Sequence, residues 1–318
     1  MRRAFIACIA LVVGATAAFA DSYPSRRIAA IVPFTAGSGT DSVARIVTQK
    51  LSEVLNVAII IDNRGGANGT IGATVGARAE PDGYTLLFGG SSTHAAAPSM
   101  VKSIQYDPKT DFAPIAQLGL FPYFLFINPD VPAKNVRDLV QLARSKPGTL
   151  SFGYGNALGQ LSGELLKREA GIELLAVPYR SSPAAITDVV AGRVSMIFVD
   201  MTAAQALAKA GQLRTLATTT PTRSQLYGDL PTMNEEGIDF RNLYAWTGMF
   251  APKNTPPDVV AKLSEALKIV LDDPAVRQRL GEIGFEAKWI GPKDFAQHVT
   301  ADVELWAQIT KDAGIEPQ

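Results

Sequence analysis

Cysteine is almost missing from this chain. Of 318 residues one is a cysteine, Cys8, and it sits inside the first apolar stretch. Disulfides, thiol catalysis and cysteine metal sites are excluded together for everything downstream. Histidine is nearly as scarce, with only His94 and His298. Those two have no H-x-x-x-H spacing, so a histidine metal site has no frame. Neither sign of charge is in excess, with 30 basic against 30 acidic residues. Such a balance lacks the electrostatic footprint of a nucleic-acid or anionic-membrane binder. After residue 20 no apolar run reaches the roughly 20 residues that span a bilayer.

What is present begins with an export signal. Arg2 and Arg3 form a short basic region, Phe5 to Val13 an apolar core, and Ala18-Phe19-Ala20 an A-x-A cleavage site. The spacing predicts a signal peptide over residues 1–20 and a mature chain starting at Asp21, delivered to the periplasm. Removing it leaves 318 − 20 = 298 residues, with 28 basic against 30 acidic. A chain of that length, exported without disulfides, takes its stability from a buried core.

Strand-like runs then alternate with helical patterns, the mark of an α/β chain with mostly parallel sheets. The segment from Ile28 to Asp41 is the most telling. Ile28 to Val32 suits a buried strand and Pro33 ends it. Thr35, Gly37, Ser38, Gly39 and Thr40 make a small-residue loop, and a helical pattern follows through Val43, Ile46, Val47, Leu51, Val54 and Leu55. A helix opening from such a loop leaves its first amide N–H groups unpaired, where they attract a carboxylate or phosphate. The same device recurs at Tyr154, Gly155, Asn156 and Gly159. Two such loops, one in each half, face one another naturally across a cleft beyond the strand ends.

Enzyme chemistry finds little support. A Ser/His/acid triad would have to use His94, and no G-x-S-x-G elbow is present. Neither Gly loop supplies the lysine of a P-loop, and Gly37-Ser38-Gly39 does not continue into a dinucleotide fingerprint. His298 lies among charged neighbours and reads as a solvated helix face. Asp200, at the end of an apolar strand, suits a general base, a helix cap or a ligand contact equally well. Binding without catalysis remains, with no cofactor and no metal. Micromolar affinity needs about 8 kcal/mol, which four or five charge-assisted bonds of ~1.5–3 kcal/mol each can supply after ordering costs.

Six segments carry a resemblance. They are Val32-Pro33-Phe34 with the loop ending Thr40-Asp41, Asp62 to Gly72, Pro81 to Leu87, Val177 to Ala184, Arg223-Ser224 with Leu230-Pro231-Thr232, and Ala251 to Pro256. In this order they resemble the Bug/TctC family of solute receptors of tripartite tricarboxylate transporters, over essentially the whole mature chain. The resemblance implies a two-lobed periplasmic binding protein fold, type II-like, with two α/β sandwich lobes joined by crossing strands. Residues 21–123 and 247–318 would form lobe 1 and residues 124–246 lobe 2. It further implies a monomer that closes on a small carboxylate and delivers it to membrane permease subunits. Carried over, the ligand contacts are Phe34, Thr35, Gly37, Ser38, Gly39 and Thr40, then Ser91, Ser92 and Thr93, and opposite them Tyr154, Gly155, Asn156, Gly159 and Asp200. The family's first loop usually reads Pro-x-Gly-Gly after the Phe, whereas this chain has Thr35-Ala36-Gly37-Ser38. Gly65 to Gly72 reads as structural, and Trp246 as core or hinge packing. Two rivals stay open: an exported enzyme acting on a small carboxylate, and a ligand-sensing input protein for a signalling partner.

Overall fold

The computed structural model describes residues 23–317 apart from 221, 225–226 and 241–243. The expected signal peptide and its cleavage site lie outside the described residues. Two sheets organise the chain. The first has the order β11-β4-β10-β3-β1-β2, built from β1 (Ile28–Val32), β2 (Ile59–Asn63), β3 (Thr85–Gly90), β4 (Phe112–Phe121), β10 (Ala245–Pro252) and β11 (Glu286–Ile290). The second has the order β7-β6-β8-β5-β9, from β5 (Phe124–Ile127), β6 (Ser151–Tyr154), β7 (Leu175–Pro178), β8 (Met196–Val199) and β9 (Arg214–Thr218). β1, β2 and β3 run parallel to one another, as do β6, β7 and β8. The remaining pairings, which involve β4, β5, β9, β10 and β11, are antiparallel. The two-lobed α/β architecture is the one anticipated from the sequence, but the sheets are mixed rather than mostly parallel, because the strands that carry the chain between them enter antiparallel.

The helices follow from local chemistry. α1 (Gly39–Leu55) starts where the Ser38 hydroxyl accepts the Asp41 amide, and it stops at Asn56 in the left-handed region. Its buried residues Val43, Ala44, Ile46, Val47 and Leu51 recur at three- and four-residue spacing, so one face packs inward. Burying a side chain such as Leu51 contributes about 1.5–3 kcal/mol. α2 (Thr70–Ala77) and the short α3 (Ala97–Met100) belong to the same half. α4 (Val136–Ser145), α5 (Ala157–Ala170), α6 (Ser182–Val190) and α7 (Met201–Lys209) dress the second sheet. α8 (Pro257–Asp272), α9 (Pro274–Glu282) and α10 (Pro292–Asp312) then return to the first. α10 packs over β4 and the turn Ser91–Ala96 with Phe295, Val299, Trp306 and Ile309. Among the described residues no helix is long and apolar enough to cross a membrane.

The chain passes between the sheets twice. Only Pro122 and Tyr123 separate β4 from β5. The return runs over residues 219–244. The passages are tied together, because the Tyr123 carbonyl accepts the Thr219 amide at 2.8 Å and the Thr218 hydroxyl at 3.1 Å.

Candidate ligand-binding site

In a parallel α/β sheet the carboxyl ends of the strands are where a cleft forms. Here six such ends, three from each sheet, open on one cavity of about 380 Å³. Behind β1 come Phe34, Thr35, Gly37, Ser38, Gly39 and Thr40; behind β2, Gly65 to Gly69; behind β3, Ser91 and Ser92. From the second sheet come Gly155 and Asn156 behind β6, Tyr179 to Pro183 behind β7, and Asp200 behind β8. Phe121 and Tyr123 of the first passage and Ala245 to Thr247 of β10 complete the wall. The volume falls at the small end of the ~300–1,000 Å³ typical of small-molecule clefts.

The loop after β1 is shaped by a buried carboxylate. Asp41 Oδ2 accepts the Gly37 amide at 2.9 Å and Arg45 Nε at 2.9 Å; Oδ1 accepts Arg45 at 3.1 Å and Asn63 Nδ2 at 2.9 Å. Asn63 also donates to the Phe34 carbonyl at 3.0 Å, so the strand β2 holds both ends of the loop. Burial alone would raise the Asp41 pKa, but the bonds from Arg45, Gly37 and Asn63 outweigh it and hold the carboxyl below its ordinary range. The Gly37 amide is thus committed, and the Ser38 amide donates to the Thr35 carbonyl at 3.2 Å. At the start of α1 the amides of Gly39 and Thr40 have no intrahelical acceptor and are donors suited to a ligand.

Opposite, Asn156 caps α5, its Oδ1 accepting the Gly159 amide at 2.9 Å. Its Nδ2 donates to the Tyr123 hydroxyl at 2.9 Å and to Ser182 Oγ at 3.2 Å. Burial, reinforced by the Asp200 charge, pushes the Tyr123 phenol well above its ordinary value, so it keeps its proton. Gly155 lies flat against the next loop: a Cβ there would stand 2.1 Å from Ser181 C and 2.2 Å from Ser182 N. The starts of α5 and α6 are therefore locked side by side, and neither first turn contains an acid. Asp200 reaches across, since a Cβ on Gly39 would meet both its carboxylate oxygens at 3.3 Å and Phe121 Cζ at 3.2 Å.

Of the fourteen residues expected at the site, eleven line the cavity, and Thr93, Tyr154 and Gly159 do not. Thr93 is fully buried; its Oγ1 accepts the Gly90 amide at 3.0 Å and meets His94 Nδ1 at 2.9 Å. Tyr154 is the last residue of β6, paired with Pro178. Gly159 sits in the first turn of α5, where a Cβ would stand 3.1 Å from the Phe198 carbonyl. His94 does not reach the cleft either. It stacks on Phe250 with ring centroids 3.9 Å apart, and burial pushes its pKa down to about 3. His298 is half-buried against Trp246, with centroids 5.4 Å apart, rather than solvated. Two segments that read as scaffold also reach the wall. One is Gly65 to Gly69, where Ala67 (φ 47) and Asn68 (φ 55) take left-handed backbone. The other is Trp246, whose amide donates to Ser91 Oγ at 2.8 Å. Gly72 is structural, its Cβ position lying 2.8 Å from the Arg64 carbonyl. Among the described residues no group of three His, Cys, Asp or Glu stands ready for a metal.

The chain also matches known proteins in sequence and fold. Residues 43–315 match the tripartite tricarboxylate transporter family receptor. The chain belongs to that family. A family relative, a UPF0065 protein from Agrobacterium vitis encoded in the TAR-I ttuE-ttuC' intergenic region, is 35% identical over 301 residues, covering 92% of this chain and 86% of the relative. Among solved structures, R. palustris Rpa4515 with adipate superposes with a TM-score of 0.89 at 35% identity, covering 93% of this chain and all of that one. MatC from Rhodopseudomonas palustris with bound malate superposes with a TM-score of 0.83 at 31% identity, covering 90% of this chain and 99% of that one. The resemblance read from the six segments is therefore borne out at the level of family and fold.

Proposed function

We propose that this family receptor is a periplasmic solute receptor that closes on a small carboxylate and delivers it to the membrane subunits of a tripartite tricarboxylate-type transporter. One observation carries the reading: six strand ends from two sheets, with the starts of α1, α5 and α6 among them, converge on one small cavity. Helix starts supply amide donors and the positive end of the helix dipole, a setting for an anion that needs no cluster of basic side chains. The relatives solved with adipate and malate support a carboxylate as that anion. In this reading residues 21–123 and 247–318 act as one lobe and 124–246 as the other, the protein works as an exported monomer, and it performs no catalysis. The buried, neutral His94 supports the last point, since a triad would need it in the cleft.

Thermal-shift screening of mono-, di- and tricarboxylates, amino acids and aromatic acids tests the reading. An acid present at 100 times its dissociation constant should add about 2.7 kcal/mol of stability. A screen in which no carboxylate shifts the transition, or in which a bound acid is turned over, would sink it. Loss of uptake on deletion of the permease subunits tests the delivery step.

A further inference from the structure

Two charged side chains occur among the described residues of the cavity wall, Arg180 and Asp200. They stand apart in character. Arg180 is exposed, at the rim, while Asp200 is half-buried and packed on Gly39. Gly39 is the first residue of α1, and its amide has no intrahelical acceptor. A carboxylate held on the Gly39 and Thr40 amides therefore has the Asp200 carboxylate as a close neighbour. Two carboxylates so placed repel unless a hydrogen lies between them.

On the carboxylate-receptor reading above, we propose that the ligand is an acid bearing a hydroxyl or ammonium group on the carbon next to its carboxylate, and that Asp200 accepts the hydrogen bond from that group. The position follows from reach: a group on the adjacent carbon is the part of the molecule nearest to Asp200 once the carboxylate sits on α1. Asp200 also has a partner within the protein, and a carboxylate has room for about four donated hydrogens. An unsubstituted acid leaves the pair of charges facing one another with nothing between. Asp200 thereby becomes the residue that sorts substituted from plain acids, while the amides supply affinity common to both.

Calorimetric titration of the purified protein at pH 7.5 tests this with matched probes of one chain length each: succinate, malate and aspartate; propionate, lactate and alanine; adipate, 2-hydroxyadipate and 2-aminoadipate. Within the series that binds, the hydroxy or amino member should bind at least tenfold more tightly than the plain acid. Asp200→Asn, which retains an acceptor and is an equally good residue before a helix start, should shrink that ratio severalfold, more for ammonium than for hydroxyl, and should strengthen binding of the plain acid. A circular-dichroism melt confirms that the variant is folded, and the wild-type ratio stands as evidence without it. Equal binding of plain and substituted acids, or a ratio unchanged in Asp200→Asn, overturns the proposal while leaving the carboxylate receptor intact. Failure of every acid to bind overturns both.

Discussion

The indole N–H of Trp246 donates to Asp302 Oδ2 at 2.6 Å, so a carboxyl outside the cavity holds part of its wall. Asp302 lies on α10, beside His298 and Trp306, and burial lifts its pKa from about 3.8 to about 6 against the opposing bonds from the two tryptophans.

That lift sets a direction for stability against pH. Between about pH 4 and 6 the folded state holds a proton that the unfolded chain has lost, so stability falls as pH rises through this window and stays reduced above it. The cost at neutral pH is on the order of 3 kcal/mol. Asp302→Asn keeps a carbonyl acceptor for Trp246 and removes the charge. Urea denaturation should show the variant about 1–3 kcal/mol more stable at pH 7.5 and little changed at pH 4.5. An equal gain at both values would show that the charge is not the cause.

His94 works in the opposite direction. Burial holds it neutral with a pKa near 3, while in the unfolded chain it protonates near 6.5. Stability is therefore full above about pH 6.5 and declines as pH falls toward 3. At pH 5 the loss is about 2 kcal/mol. His94→Phe retains the stack on Phe250, so the difference between variant and wild type should shift by about 2 kcal/mol in favour of the variant from pH 7.5 to pH 5. A difference independent of pH would contradict this. Because Asp302 and His94 oppose one another, the wild type should show a shallower acid profile than either variant.

Asn63→Ala removes the link from β2 to both Asp41 and the Phe34 carbonyl. The loop after β1 should loosen, and amide exchange at Gly37, now tied to Asp41, should accelerate at least tenfold with global stability reduced by only about 1 kcal/mol. Carboxylate affinity should drop roughly tenfold. Unchanged exchange at Gly37 would mean that the helix start alone holds the loop.

Gly155→Ala forces a methyl into the backbone of Ser181 and Ser182. Carboxylate binding should fall by tenfold or more as the starts of α5 and α6 separate. Gly37→Val acts by another route, because its Cβ position is open but its φ of 81 is left-handed. A Gly155→Ala protein that binds normally would show that the two helix starts tolerate independent placement.

The sequence made the helix starts legible for physical reasons. Ser38 and Asn156 are capping residues placed before apolar patterns of period 3.6, and both cap as their type suggests. What stayed hidden depends on distance along the chain. Asn63 reaches Asp41 across 22 positions, and no local pattern signals that partnership. Ala67 and Asn68 line the cavity in left-handed backbone, a conformation that suits asparagine but that alanine does not announce. His94 follows the polar run Ser91 to Thr93, which does not signal that Phe112 and Phe250 enclose it. Trp246 was legible as packing, and its indole is indeed buried against Phe295, His298 and Asp302; that the residue also lines the cavity depends on where β10 lies in the fold.

The bonds that tie the Tyr123 carbonyl to Thr218 and Thr219 have a mechanical consequence. Two separate tethers between rigid bodies would permit twist, slide and bend. Tethers fastened to one another at a single point act as one joint, and the two lobes proposed above then pivot about Tyr123 rather than slide past one another. Under that proposal the distance between one label on α2 and one on α6 should change when a carboxylate binds, while a distance taken across the joint at Tyr123 stays constant.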